Sequence, residues 1–112
     1  MIVLIPSFQP DRRLVGLVDD LLAADCSLTI LIVDDGSGPD YASVFAEARE
    51  HGAELIGTTS NHGKGHALKL GFRHALVHHR GEDVVCADSD GQHRVDDILR
   101  VAERVLAESD VH

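Results

Sequence analysis

Four times along the chain, a strand-length apolar run gives way to a stretch with helical periodicity, and this alternation restricts the fold more than any other feature. Consecutive β-α units of this kind build a parallel sheet covered by helices. The first strand is read at Ile2 to Ile5, followed by a helix from Arg12 to Ala24 with Leu14, Leu17, Val18, Leu21 and Leu22 on its buried face. Leu28 to Val33 is the second strand, a continuous β-branched and Leu run suited to burial on both sides. Asp34-Asp35-Gly36-Ser37-Gly38-Pro39 breaks it, and a helix from Tyr41 to His51 is closed by Gly52. Tyr41, Val44, Phe45 and Ala48 share one side of that helix.

Ala53 to Gly57 supplies a short third strand, and a third helix is expected from His66 to His79 with Leu68, Phe72, Ala75 and Leu76 as its stripe. Asp83 to Ala87 is the fourth strand, and Val95 to Ala107 the last helix, with Ile98, Val101, Ala102, Val105 and Leu106 inward. At 112 residues the chain suffices for one domain, residues 1–112, with no internal repeat.

Nineteen acidic residues against ten basic ones give a net charge of -9, so the chain offers no basic stripe to nucleic acid. A phosphorylated small molecule is still an admissible ligand if a divalent cation supplies the positive charge. The apolar run Met1 to Ile5 stops at Pro6 without a preceding basic region, so it is neither a signal peptide nor a membrane span. A cytoplasmic location is expected. Cys26 and Cys86 lack zinc-type spacing, and both are expected as reduced, buried thiols, Cys86 as core packing.

In open α/β sheets ligands bind beyond the carboxyl ends of the strands, and the polar signals of this chain all fall there. Asp88 and Asp90 stand one residue apart directly after the fourth strand. Two such carboxylates repel unless a cation or proton separates them, and hard oxygen ligands suit Mg2+ or Mn2+. The competing reading is a solvated turn with a helix-capping Asp; the position at a strand end favours function. Asp34 and Asp35 could accept hydrogen bonds from a nucleobase or ribose, with Gly36 letting the backbone pass close to a ligand. Taken alone, they read better as a turn followed by a helix cap.

Asn61-His62-Gly63-Lys64-Gly65 leads into the third helix, where glycine amides, the helix N-terminus and Lys64 suit a phosphate or diphosphate. Neither a Walker loop nor a dinucleotide-binding glycine pattern is matched, so nicotinamide chemistry is unsupported. His62 and His66 are four residues apart, as are His74 and His78, but no acidic or cysteine partner stands at zinc-site spacing. Most of the histidines are expected on the surface.

Taken in order, Ile5-Pro6-Ser7-Phe8-Gln9-Pro10, Ile32-Val33-Asp34-Asp35-Gly36-Ser37, Asn61 to Gly71 and Asp88-Ser89-Asp90-Gly91-Gln92-His93 resemble the motif series of family 2 glycosyltransferases. The polyprenyl-phosphate sugar transferase branch is the most similar. The resemblance implies a Rossmann-like GT-A half-domain: three α/β/α layers on a mainly parallel sheet of about four strands, order 3-2-1-4. It also implies that Pro6, Ser7, Asp34, Asp35, Asn61, Gly63, Lys64 and Asp88 line the nucleotide pocket. Asp88 and Asp90 would be the metal-binding pair, with Gln92 as a further ligand, and Mg2+ or Mn2+ the cofactor.

The implied reaction is transfer of a sugar from a nucleotide-diphosphate donor to a lipid-phosphate or saccharide acceptor. By this resemblance the chain is the donor-binding part of a longer transferase, truncated on its C-terminal side. The catalytic base is expected outside it, and the full-length parent at the cytoplasmic face of a membrane. The fourth strand would then be an open sheet edge, suited to homo-oligomer formation. The rival readings are a haloacid-dehalogenase-like phosphotransferase using Asp88 as nucleophile and Asp90 as acid, and a non-catalytic nucleotide-binding or assembly module.

Overall fold

The structure is a computed structural model that describes residues 1–87. Its strands are β1 (Ile2–Ser7), β2 (Thr29–Asp35), β3 (Glu54–Thr58) and β4 (Val84–Cys86). Its helices are α1 (Arg13–Ala24), α2 (Ala42–Glu50) and α3 (Lys64–His78), and a single 3-10 turn at Pro39–Tyr41 leads into α2. All strand pairs are parallel, in the order β3-β2-β1-β4, as the resemblance implied. The expected helix from Val95 to Ala107 lies outside the described residues.

Strand alternation divides the core in two. Val3, Ile5, Ile30, Ile32 and Val85 face α1 and α2, meeting Leu14, Leu17, Val18, Leu21, Phe45 and Ala48. Ile2, Leu4, Leu31 and Val33 face the other way, toward Ala67 and Ala75 of α3. The chain thus winds two units along one face, then returns over the opposite face to place β4 beside β1. That reversal puts a topological switch point between β1 and β4, where the loops diverge and a crevice opens.

Local chemistry explains most of the boundaries. At the end of α2 the Ala53 N–H donates to the Ala48 carbonyl (3.1 Å) and the Gly52 N–H to that of Arg49 (3.0 Å). With Gly52 at φ 115° this is the paired C-terminal bonding pattern for which glycine is selected. Asp11 makes an Asx turn just before α1, its carboxylate accepting the Arg13 N–H at 2.9 Å.

The expected stripe of α3 holds for Ala75, which is buried, and Leu68, which packs against the core, and is corrected for Phe72 and Leu76. The buried positions are Ala67, Gly71 and Ala75, whereas Phe72 is 43% and Leu76 71% exposed. Small residues at i, i+4 and i+8 let the helix lie close on β1, and a Cβ at Gly71 would collide with the Leu4 side chain. Large side chains cannot fit beneath the helix at that separation, so they turn to its flank. Phe72, Leu76 and Val84 line a shallow, mostly apolar pocket there.

Both cysteines are exposed, against the expectation of burial. Cys86 points to the α3 side of the edge strand β4, where α3 leaves it uncovered among the described residues. Neighbouring protein nevertheless desolvates its thiol and raises the pKa, with the charge of Lys64 pulling the other way.

Candidate functional site

β2 runs two residues past the expected end, through Asp34 and Asp35, because both remain in register with neighbouring strands. Asp34 lies opposite Ser7 of β1 and Gly57 of β3, and Asp35 opposite Thr58. Successive residues of a strand point to opposite faces, so the two carboxylates are sent to different tasks.

Asp34 serves the turn. Its Oδ1 accepts the Ser37 N–H at 2.9 Å, the local bond that short acidic side chains make after a strand. Ser37 is itself buried, and its Oγ accepts the Gln9 N–H at 2.8 Å, tying the loop after β1 to the loop after β2. Gln9 has φ 50°, which non-glycine residues seldom adopt, so this tie holds a constrained backbone next to Pro6 and Ser7. Sequence reasoning passed over Ser37 and Gln9. The Asp-x-x-Ser spacing was the available signal for Ser37.

Asp35 reaches across to the glycine-rich loop. It is only 4% exposed; Oδ1 accepts the His62 N–H and Oδ2 the Gly63 N–H, each at 3.0 Å. Gly63 shares its N–H with Asn61 Oδ1 at 2.9 Å. The Gly63 amide, one of the glycine amides expected to meet a ligand phosphate, therefore already holds, with that of His62, a carboxylate of the chain's own at the N-terminus of α3, where negative charge is favoured. Each carboxylate oxygen has a second lone-pair direction with which to accept a further donor.

Gly36 makes this junction close. A Cβ there would fall against the backbone of Ser60 and Asn61, and its φ of 72° is itself one that glycine tolerates. The close approach anticipated for a ligand is thus made by the neighbouring loop.

Ser7, at the carboxyl end of β1, is 2% exposed, and its Oγ has no hydrogen-bond partner among the described residues. An orphaned buried hydroxyl costs about 1–3 kcal/mol, so it marks a place where a polar ligand atom would be welcome. Pro6, opposite Val33, stands beside it. Lys64 opens α3, and its charge is felt at Cys86, so it belongs to the β4 side of the crevice. β4 continues beside β1 through Ala87, whose N–H donates to the Leu4 carbonyl at 3.0 Å. Asp88, Asp90 and Gln92 follow in the sequence and lie outside the described residues.

Pro6, Ser7, Asp34, Asp35, Asn61, Gly63 and Lys64 are therefore gathered at one end of the sheet, in two groups joined by the Asp34-Asp35 backbone. Comparison with known proteins then decides the family, since the model of glycosyl transferase family 2 matches residues 2–111. The chain belongs to glycosyl transferase family 2. That membership sets aside the haloacid-dehalogenase alternative.

Among relatives, the chain is 29% identical over 112 residues to mouse (Mus musculus) dolichyl-phosphate beta-glucosyltransferase, covering 88% of this chain and 33% of that protein. It is 32% identical over 116 residues to undecaprenyl-phosphate 4-deoxy-4-formamido-L-arabinose transferase of Sodalis glossinidius, covering 97% and 34%. The chain thus spans about a third of the length of these relatives. Among solved structures it superposes with a TM-score of 0.67 on the mannosyltransferase PcManGT from Pyrobaculum calidifontis in complex with GDP-Man and Mn2+, at 26% identity over 90% of this chain and 31% of that one. S. aureus TarS gives the same TM-score of 0.67 at 20% identity, a likeness of fold, over 91% of this chain and 31% of that one.

Proposed function

We propose that this chain is the donor-binding part of a metal-dependent glycosyltransferase that moves a sugar from a nucleotide diphosphate to a polyprenyl-phosphate acceptor. The observation that carries the reading is the Asp35 clasp, which gathers two motif-bearing loops at the switch-point end of the sheet. The names of the dolichyl- and undecaprenyl-phosphate relatives support the acceptor class over a saccharide. A neighbouring structure with GDP-Man and Mn2+ supports the donor and the cofactor.

In this reading the nucleoside lies against Pro6, Ser7, Asp34 and Asp35. The Ser7 hydroxyl gains its missing partner, and Asp35 accepts from the base or ribose while keeping the loop in place. Asn61, Gly63 and Lys64 border the donor, with Lys64 meeting the diphosphate charge. Asp88, Asp90 and Gln92 would hold Mg2+ or Mn2+, an all-oxygen-donor set suited to hard cations. Bound there, the ion supplies Lewis-acid stabilisation of the departing diphosphate.

No described helix is long and apolar enough to cross a membrane. A full-length protein that works on a lipid phosphate is placed at the cytoplasmic face of a membrane, with its base in the acceptor-binding half. Calorimetry should show nucleoside diphosphate binding that requires Mn2+ or Mg2+ and is abolished by Asp90→Ala, while a radiolabelled donor is not turned over efficiently by the 112-residue chain. Equal binding with and without metal would overturn the reading.

A further inference from the structure

At the opposite end of the sheet lies a second cluster that the donor site does not use. Glu54 begins β3, His74 is on the last turns of α3, and His79 caps its C-terminus. One ligand atom from each lies within 4.8 Å of the other two, and all three residues are half-buried. His79 Nε2 is already 2.7 Å from Glu54 Oε2, and its Nδ1 is 3.5 Å from Glu82 Oε2.

We propose that Glu54, His74 and His79 form a site for a borderline divalent cation of the Zn2+ type, separate from the oxygen-donor site of the transferase reaction. Two imidazoles and one carboxylate are a donor set that Zn2+ accepts, with water completing the tetrahedron. Ligands around a tetrahedral Zn2+ stand roughly 3.4 Å apart, from metal-ligand bonds of ~2.0–2.1 Å. The 2.7 Å Glu54–His79 contact and the 4.8 Å limit of the cluster lie on either side of that spacing, so the Glu54–His79 contact would open slightly to admit the ion.

Three further features favour a cation. His79 sits where the carbonyl ends of α3 carry partial negative charge. Glu82 lies beside the second ring nitrogen of His79, as the outer partner that fixes the orientation of a ligating imidazole. The His74 and His79 rings lie with centroids 6.1 Å apart, which brings both imidazoles to the one cluster. Occupied, the site would staple the end of α3 to the start of β3.

The test uses the complete chain carrying Asp88→Asn and Asp90→Asn, which removes the oxygen-donor pair. Titration with Zn2+ should find one site per chain in the micromolar range, and Co2+ should give the visible absorption of a tetrahedral nitrogen-oxygen site. His74→Ala and His79→Ala should each weaken binding by at least ~10-fold and bleach that absorption. Glu54→Gln, which keeps the fold's hydrogen-bonding capacity, should do the same, and His66→Ala at the other end of α3 should not. Absence of Zn2+ binding by the parent, or binding and absorption that survive both histidine changes, would overturn the proposal.

Discussion

Asp35 ties two loops of the fold together at the proposed donor site. It is buried at the end of β2, and its two oxygens hold the backbone of a loop 27 and 28 residues away. Asp35→Asn turns one of those oxygens into a donor facing an N–H, so one hydrogen bond becomes a repulsion. Urea unfolding should show a loss of about 1–3 kcal/mol, the range for stranding a buried polar group. Nucleotide affinity should fall with it, since the loop carrying Asn61, Gly63 and Lys64 is released. An unchanged unfolding midpoint would mean that the loop is held by other contacts. Asp34, its neighbour, is committed to a turn and has no comparable reach.

At the scale of the element, α3 is defined by what is missing from its inner face. Ala67, Gly71 and Ala75 bring it close to β1, and Gly71 lies against Leu4. Gly71→Leu should therefore destabilise the chain by about 1–3 kcal/mol through overpacking, although leucine is the better helix former by nearly 1 kcal/mol. Thermal unfolding followed by circular dichroism separates the two effects by sign. The position of α3 bears on both proposed sites: its N-terminus follows the loop clasped by Asp35, and its C-terminal part carries His74 and His79. The apolar residues in its sequence pattern misled because periodicity reports which positions share a face, not how close a neighbouring layer lies. Leu68, Phe72, Ala75 and Leu76 do share a stripe, but only its Leu68 and Ala75 edge turns to the sheet, while Phe72 and Leu76 are exposed.

For the whole molecule, the order β3-β2-β1-β4 leaves β4 with no strand on its outer side among the described residues. Exposed Phe72 and Leu76 stand along the same margin. Self-association through this edge is the proposed consequence, because an unpaired strand beside apolar surface is a template for another copy. Analytical ultracentrifugation should give a dimer or larger species, and Cys86→Pro, which removes a backbone donor that alternates away from β1 to the open side of β4, should abolish it or shift it toward monomer. A single monomeric boundary at every concentration would refute this.

What the sequence determined by itself is local or repetitive. Alternating apolar runs define β-α units, Gly52 stops α2, and residues placed just after strands must gather at the carboxyl end of a parallel sheet, whichever order the strands take. The number of described units, the parallel sheet and the set of loops carrying polar motifs were legible for that reason. The motif series, through family resemblance, also anticipated the strand order. Tertiary structure alone decided the pairings between distant residues. Asp35 with His62 and Gly63 cannot be read from spacing, nor can the unpartnered hydroxyl of Ser7. The same holds for Glu54, whose 2.7 Å contact with His79 brings an acidic group to the histidines of α3 that no sequence spacing offered. Such contacts depend on where layers meet and how near they come, and those distances are set by the packing of many side chains together.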